Sequence, residues 1–246
     1  IPLADVRRTD VAAVGGKNAS LGELTAALSS QGIRVPAGFA STARLYWRFV
    51  ADNGLQPVIE RTMRDWHEGS SSLSEAGGAI RKAFLEARWP RDCESAMVAA
   101  YRRLSEQHGE QIVAVAVRSR ATAEDLPEAS FAGQLESFLN VGGEQALLES
   151  ARRCLASLYT DRAISYRHAK GFNQMQVAVS VGVQVMVRSD LACAGVMFSI
   201  DTETGCDRVV LINGSWGLGE NVVQGTVDPD EYQVFKPLLA DARSPR

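Results

Sequence analysis

The sequence predicts an α+β fold, because its first half carries helical patterns and its second half carries the patterns of strands. Apolar residues recur at helical spacing in several segments before residue 110. Beyond it, the apolar run at 112–117 is typical of a buried strand, and Val alternates with small and polar residues over 177–187. We therefore predict two lobes with a cleft between them, with a mainly helical part over 1–110 and a strand-rich part over 111–246.

The elements can be assigned in chain order. Leucines at helical spacing predict a helix over 20–31, and Gly32 follows where a helix commonly ends. The segment at 33–40 contains Pro and Gly, which favours a loop or an edge strand. Ser41 or Thr42 is then a candidate N-cap for the next helix. Further helices are predicted over 55–66, 74–87, 91–108, 143–158 and 160–171, and further strands over 195–200, 208–213 and 230–235.

One polar stretch interrupts the helical half. The sequence HEGSSSLSEAGG at 67–78 is rich in Gly and Ser and lies between two predicted helices. Clusters of these residues mark loops, because they favour turns over regular structure. We predict a mobile surface linker here.

The composition excludes several classes of protein. Of the 246 residues, 46% are hydrophobic and 22% are charged, which argues against wholesale disorder. The net charge is −3, so no basic excess favours a nucleic-acid or membrane-surface partner. No apolar run reaches the roughly 18–20 residues that a membrane span needs.

The cysteines and the first residues bear on the compartment. Four cysteines are present and no two are separated by two residues, so we expect reduced thiols. The opening residues IPLADVRRTD lack the apolar segment of a signal peptide, and we expect a cytoplasmic protein. Since the chain begins with Ile1 rather than Met, we also expect it to be processed, trimmed or part of something longer.

A first candidate site is the segment GGKNASLGEL at 15–24. Two glycines allow close backbone approach to a ligand, and the helix that follows presents free N–H groups to an anion. Lys17 adds a positive charge. The segment is not a Walker A loop, because Asn18 follows the lysine and Val11 occupies the position of the first glycine. The alternative is a turn with a solvated lysine.

A second candidate site follows the apolar run in VAVRSRATAEDLPEASFAGQLESFLNV at 115–141. Arg118 and Arg120 come directly after the predicted strand, where an arginine can grip a phosphate with two donors. The backbone of the SFAG turn could fold over phosphates. The alternative is a surface network of Arg and Glu, which stabilises little.

A third candidate site is the glycine-rich segment at 212–232. Its Glu220 could hold a ribose hydroxyl or a metal-bound water, and Val222 breaks the GxGxxG fingerprint. The alternative is a glycine-rich turn with a buried Trp216. Asp201 and Glu203, just before it, could bind Mg²⁺ but are more typical of turn caps. The three histidines, His67, His108 and His168, are predicted to be surface residues.

Together these segments resemble the N-terminal nucleotide-binding domain of the phosphoenolpyruvate synthase (pyruvate, water dikinase) family, which is related to pyruvate, phosphate dikinase and rifampin phosphotransferase. The resemblance covers nearly the whole chain. It rests on TDVAAVGGKNASLGEL, GIRVPAGFAST, the block at 115–141, ASLYTDRAISYRHAKGF, VGVQVMVRSD, AGVMFSIDTETG and GLGENVVQGTVDPDEYQVFKP. It implies an ATP-grasp fold of two lobes, with both parts of the chain in one ATP-binding domain that is incomplete at its C-terminus.

The resemblance also implies roles for individual residues. Lys17 and Arg118 would bind the ATP phosphates and act in catalysis. Gln184, Met186 and Val187 would form the hinge that receives adenine through backbone groups. Glu220 would lie at the nucleotide and is a possible metal ligand, whereas the main metal ligands of the family lie beyond the chain end. The loop that closes over the phosphates would contain Ala132, Gly133, Gln134 and Ser137.

The implied reaction moves the β-phosphate of ATP to a histidine on a separate domain and then to pyruvate, with Mg²⁺ as the metal. The implied partners are therefore ATP, a phosphohistidine domain and a pyruvate-binding barrel, the last two absent from this chain. The sequence departs from the family at Arg120, usually a serine, and at Leu135, usually a glutamine; Ser137 replaces a threonine. The open alternatives are the ATP domain of a rifampin phosphotransferase or other dikinase, and a non-catalytic module.

Overall fold

The computed structural model describes residues 1–121 and 136–239 and confirms the α+β fold. The chain divides into two compact units, Ile1–Met186 and Val187–Arg246. The helices in the described ranges are α1 (Val11–Val14), α2 (Gly16–Leu28), α3 (Ala43–Asp52), α4 (Leu55–His67), α5 (Leu73–Glu86), α6 (Arg91–Gln107), α7 (Glu144–Ala156), α8 (Asp161–Ala169), α9 (Gly219–Val223) and α10 (Lys236–Leu239). The strands there are β1 (Gly38–Ala40), β2 (Val115–Ala121), β3 (Ser137–Val141), β4 (Val179–Val185), β5 (Cys193–Phe198), β6 (Val209–Trp216) and β7 (Asp230–Phe235).

The first unit is built on a four-stranded sheet in the order β1-β4-β2-β3, in which neighbouring strands are antiparallel. Strands β2 and β4 pair along their whole length, from Val115 opposite Val185 to Ala121 opposite Val179. The short β1 lies at one edge, so the prediction of an edge strand within 33–40 is confirmed. The valine-rich β4, predicted as a half-buried strand, is central, and its first five residues are buried.

The two faces of this sheet contact different parts of the chain. Successive residues of a strand point to opposite faces, and directly paired residues of adjacent strands share a face. Phe39 belongs to the main core, which buries side chains from α3 to α8; we call its side the helix face. The opposite face carries Ala40 and its partner Gly182, and we call it the α2 face. A smaller cluster there consists of Leu3, Val6, Val14, Ala19 and Ala40.

The first long helix begins earlier than predicted. α2 starts at Gly16 rather than near residue 20, because its first turn carries Lys17 and Asn18 and so lacks the apolar spacing that marks a helix. At its other end a 3₁₀ turn over Ser29–Gln31 leads to Gly32, which has a left-handed φ of 76°. The prediction that Gly32 ends the helix is therefore confirmed.

The predicted linker at 67–78 is wrong over its second half. α5 begins at Leu73, and Ser72 caps it: the Ser72 hydroxyl accepts from the Glu75 N–H, and the Glu75 carboxylate accepts from the Ser72 N–H at 2.8 Å. This reciprocal capping box is encoded by Ser and Glu three residues apart. Gly77 lies inside α5, and a β-carbon there would lie 2.8 Å from the Tyr159 carbonyl oxygen, so this close packing needs glycine.

The second unit contains an antiparallel three-stranded sheet in the order β5-β6-β7. β6 continues through Trp216, so residues 213–216, read from the sequence as part of a glycine-rich turn, are in a strand. Trp216 is 80% exposed, so the alternative of a turn with a buried tryptophan is wrong. β7 has the bounds predicted for it.

Two properties of the described residues bear on environment. No helix within residues 1–121 and 136–239 is long and apolar enough to cross a membrane. All four cysteines are free thiols, with Cys93 and Cys154 buried and Cys193 and Cys206 exposed. Burial raises the pKa of the Cys154 thiol well above its ordinary value, so it stays protonated at neutral pH.

Replacement of Ser72 tests the capping box. Ser72→Ala removes the hydroxyl acceptor at the start of α5, and the expected loss in free energy of unfolding is about 0.5–2 kcal/mol by urea denaturation. Ser70 is an exposed serine in the same turn whose backbone N–H bonds to the Asp65 carbonyl, so Ser70→Ala is the matched control and should change little. Equal losses in the two variants would contradict the capping role.

The same cap predicts a dependence on pH. Hydrogen bonds from the Ser72 hydroxyl and N–H lower the pKa of Glu75 below its ordinary 4.5. A carboxylate whose pKa is lowered on folding contributes stability above its unfolded pKa, and that contribution is lost as pH falls. The difference in free energy of unfolding between wild type and Ser72→Ala should therefore be largest at neutral pH and should shrink below pH 4.5. A difference that stays constant down to pH 3 would contradict the Glu75 contribution.

Candidate functional site

The glycine pair that precedes α2 lies directly against the first sheet. Gly15 has φ 78° and ψ 154°, a conformation open almost only to glycine. A β-carbon at Gly15 would lie 3.1 Å from Cβ of Arg120 and 3.2 Å from the Ala121 carbonyl oxygen, both in β2. The sequence motif therefore needs glycine here both for backbone conformation and for close approach.

The first turn of α2 is fixed to β4 by a buried polar cluster. Asn18 is buried and donates from Nδ2 to the Val14 carbonyl at 2.8 Å and to Ser180 Oγ at 3.2 Å. The Ser180 hydroxyl in turn donates to the Val14 carbonyl. A β-carbon at Gly182 would lie 2.5 Å from Asn18 Oδ1, so the strand needs glycine where the amide contacts it. These contacts set the position of the helix start above the sheet.

Lys17 is exposed in this first turn. The first N–H groups of an α-helix have no partner within the helix, and they give its start a partial positive charge. Since Gly15 contacts β2 at Arg120, this positive helix end and the lysine lie near the arginines of that strand. The arrangement suits an anionic ligand.

Arg118 is half-buried in the interior of β2, directly opposite Gly182 of β4 and Ser137 of β3. The sequence placed it after the strand end; in fact β2 continues to Ala121. Paired residues share a face, so Arg118 and Ser137 lie on the α2 face. The start of β3 is held close because the Ser119 N–H donates to the Glu136 carbonyl at 3.1 Å. The structure thus puts Arg118 beside Ser137 on the face against which the first turn of α2 packs.

The segment predicted as a hinge is where the chain passes from the first unit to the second. Gln184 lies on the α2 face two residues beyond Gly182, and its Nε2 donates to the Pro36 carbonyl at 3.1 Å. The Met186 N–H donates to the Ala114 carbonyl at 2.9 Å. Of the two backbone groups of Met186, the N–H is therefore occupied and the carbonyl is available for a ligand in this conformation.

Two predicted site residues belong to the second unit. Val187 is 62% exposed, and its carbonyl accepts from the Ser189 N–H at 2.7 Å. Glu220 is exposed in α9, where its Oε1 accepts from Gln224 Nε2 at 2.8 Å. The predicted loop residues Ala132, Gly133 and Gln134, like Leu135, lie outside the described residues.

The described residues offer no ready-made metal centre. Across residues 1–121 and 136–239, no group of three His, Cys, Asp or Glu side chains could hold a metal ion. Asp201 acts as a turn cap, because its carboxylate accepts from the Glu203 N–H at 2.9 Å and from the Thr204 hydroxyl. These hydrogen bonds lower its pKa.

Sequence reasoning missed the polar cluster beneath the helix. Asn18 entered only as the residue that excludes a Walker A loop, although an amide in the first turn of a helix can bond a nearby backbone carbonyl. Ser180 and Gly182 lie within an alternating strand and carry no local signal, because their role depends on a helix far away in sequence.

Comparison with known proteins gives a consistent result. The family model for the AMP/ATP-binding domain of pyruvate phosphate dikinase matches residues 11–244. The phosphoenolpyruvate synthase of Synechocystis is 51% identical over 98% of this chain and 30% of that protein. Those of Neisseria meningitidis and Escherichia coli are 51% and 50% identical over 96% and 95% of this chain, or 30% and 29% of those proteins. The chain spans about 30% of the length of these curated relatives.

Replacement of Gly15 tests the close approach of α2 to the sheet. Gly15→Ala should lower the free energy of unfolding by about 1–3 kcal/mol from backbone strain alone, and further through contact with Arg120. Gly32 also has positive φ, but a β-carbon there meets nothing within 4 Å. Gly32→Ala should therefore lower the free energy of unfolding by only about 1–2 kcal/mol. Thermal and urea unfolding of both variants would measure the difference. An equal loss at the two positions would contradict the crowding at Gly15.

Proposed function

Because the chain belongs to the pyruvate phosphate dikinase AMP/ATP-binding domain family, we propose that it binds Mg²⁺·ATP at the α2 face of the first sheet. The observation that carries this proposal is the approach of the Gly15–Gly16 turn to Arg120, which puts a helix start beside two strand arginines. Backbone N–H groups at a helix start and positive side chains together bind phosphate well. The ATP-grasp assignment belongs to this proposal.

Lys17 and Arg118 are the proposed phosphate ligands. Arg118 presents a planar guanidinium that can hold two phosphate oxygens at once, and half-burial in the sheet reduces its screening by water. Lys17 would supply a point charge from the exposed side of the first turn of α2. Ser137, opposite Arg118, would donate its hydroxyl, and Ala132, Gly133 and Gln134 would close over the phosphates with backbone N–H groups.

The adenine and the metal would use the remaining predicted residues. Gln184, Met186 and Val187 would receive the adenine, and the Met186 carbonyl can accept from its amino group while the Met186 N–H stays bonded to Ala114. Glu220 would lie at the nucleotide, where its carboxylate oxygens would suit Mg²⁺. When bound, Mg²⁺ would neutralise phosphate charge.

In the longer protein, this domain would serve phosphoenolpyruvate synthesis in the cytoplasm. The β-phosphate of ATP would pass to a histidine on another domain and then to pyruvate bound in a barrel, with AMP and phosphate released. The relatives carry the name phosphoenolpyruvate synthase, which favours this reaction over transfer to rifampin. Phosphoryl transfer depends on positioning and charge neutralisation, which Lys17 and Arg118 are suited to provide.

Calorimetric titration with Mg²⁺·ATP tests the site. Wild type should bind with a Kd between about 1 µM and 1 mM. Arg118→Ala and Lys17→Ala each remove a charged hydrogen-bond donor worth about 1.5–3 kcal/mol, so Kd should rise roughly tenfold to 150-fold. The loss from Arg118→Ala should exceed that from Lys17→Ala, because the arginine is half-buried and the lysine is exposed.

The matched control is Lys82→Ala, which removes an exposed lysine paired with Glu86 on α5. It should leave the affinity for ATP unchanged, and circular dichroism should show all variants folded. If folded wild type gives no heat at millimolar ATP, the chain is a non-catalytic module and the proposal fails. If Lys82→Ala weakens the binding of ATP as much as Lys17→Ala does, the loss of affinity comes from the change in overall charge and not from this site.

A further inference from the structure

Two histidines that the proposed function does not use meet on the helix face of the first unit. His67 is the last residue of α4 and His168 lies near the end of α8, and both side chains are exposed. Their ring centres are 5.1 Å apart, with the rings tilted at 46°. Trp66 completes the cluster, at 4.6 Å from the His67 ring and 5.0 Å from the His168 ring.

The separation of the two imidazoles suits a shared metal ion. Zinc–nitrogen bonds of about 2.0–2.1 Å put the centre of a ligating ring about 3.2 Å from the metal, so a tetrahedral angle separates two ring centres by about 5.2 Å. The distance of 5.1 Å between the two ring centres agrees with that value.

The surroundings leave space for the rest of a coordination shell. Both histidines line an open cavity of about 770 Å³, whose wall also includes Glu60, Glu68 and Asn173. Among the described residues no third His, Cys, Asp or Glu joins the pair in a ready-made metal group. Waters would therefore fill the remaining positions, and these carboxylate and amide groups can orient such waters by hydrogen bonds.

We propose that His67 and His168 form a two-histidine site for a divalent transition ion of the kind that imidazole prefers, such as Zn²⁺ or Cu²⁺. The bound ion links the end of α4 to the end of α8. It therefore stabilises the helices that cover the helix face, and the effect needs no nucleotide. Mg²⁺, which prefers oxygen ligands, does not bind at this site.

Zn²⁺ titration of the full chain without nucleotide tests the proposal. Exposed thiols also bind Zn²⁺, so all proteins carry Cys193→Ser and Cys206→Ser. In this background Zn²⁺ should bind at one site by calorimetry and raise the Tm, whereas Mg²⁺ should do neither. His67→Phe and His168→Phe keep a ring against Trp66 but remove the ligand nitrogens, and each should weaken Zn²⁺ by at least about tenfold. The matched control is His108→Phe, which removes the third histidine and should leave binding unchanged.

Cu²⁺ provides a second readout, because it quenches a tryptophan a few ångströms away. Cu²⁺ should quench the parent protein and His108→Phe, but not His67→Phe, and Trp66→Phe should remove the quenched component while Trp47, Trp89 and Trp216 remain. Zn²⁺ binding that persists in the double variant His67→Phe/His168→Phe would overturn the proposal, as would the absence of any Tm change in the folded parent protein. Quenching that survives Trp66→Phe would place the ion elsewhere and would also overturn it.

Discussion

The close seating of α2 on the first sheet is the constraint on which the rest of the candidate site depends. Gly15 turns the chain in a conformation that side chains disfavour, and Asn18 then fixes the helix start to β4 through Ser180. Neither contact is large, yet both are buried, and a buried amide left without its partners would cost about 1–3 kcal/mol. Because the helix start is held in this way, the positions of Lys17 and of the first N–H groups follow from the backbone.

The alternation of side chains along β2 and β4 decides which residues can act together. Val117 of β2 and its partner Val183 of β4 lie in the main core. The residues next to them along each strand must therefore point to the α2 face. Arg118 and Gln184 therefore share that face, and a one-residue shift in register would bury the arginine among valines. The large apolar core on the helix face thus fixes the register that the polar face needs.

Much of this could be predicted from the sequence. The central strands, most helix bounds and the segments carrying Lys17 and Arg118 follow from local spacing, because apolar periodicity is a property of neighbouring residues. The start of α2 was missed because its polar first turn carries no such spacing. The cap at Ser72 was missed because its Gly- and Ser-rich surroundings favoured a linker, although Ser72 and Glu75 have the spacing of a capping box. The contact of Asn18 with Ser180, like the meeting of His67 with His168, joins residues distant in sequence, and no single-sequence pattern encodes it.

Arg120, at a position where the family resemblance implies a serine, is compatible with this seating. The contact that Gly15 makes with that residue is to Cβ, which a serine and an arginine both possess, and the neighbouring contact is to the Ala121 backbone. The longer side chain of Arg120 therefore leaves the approach of the glycine turn unchanged and adds a positive charge to the α2 face. In a site that binds negatively charged phosphates, the added positive charge of Arg120 would favour binding.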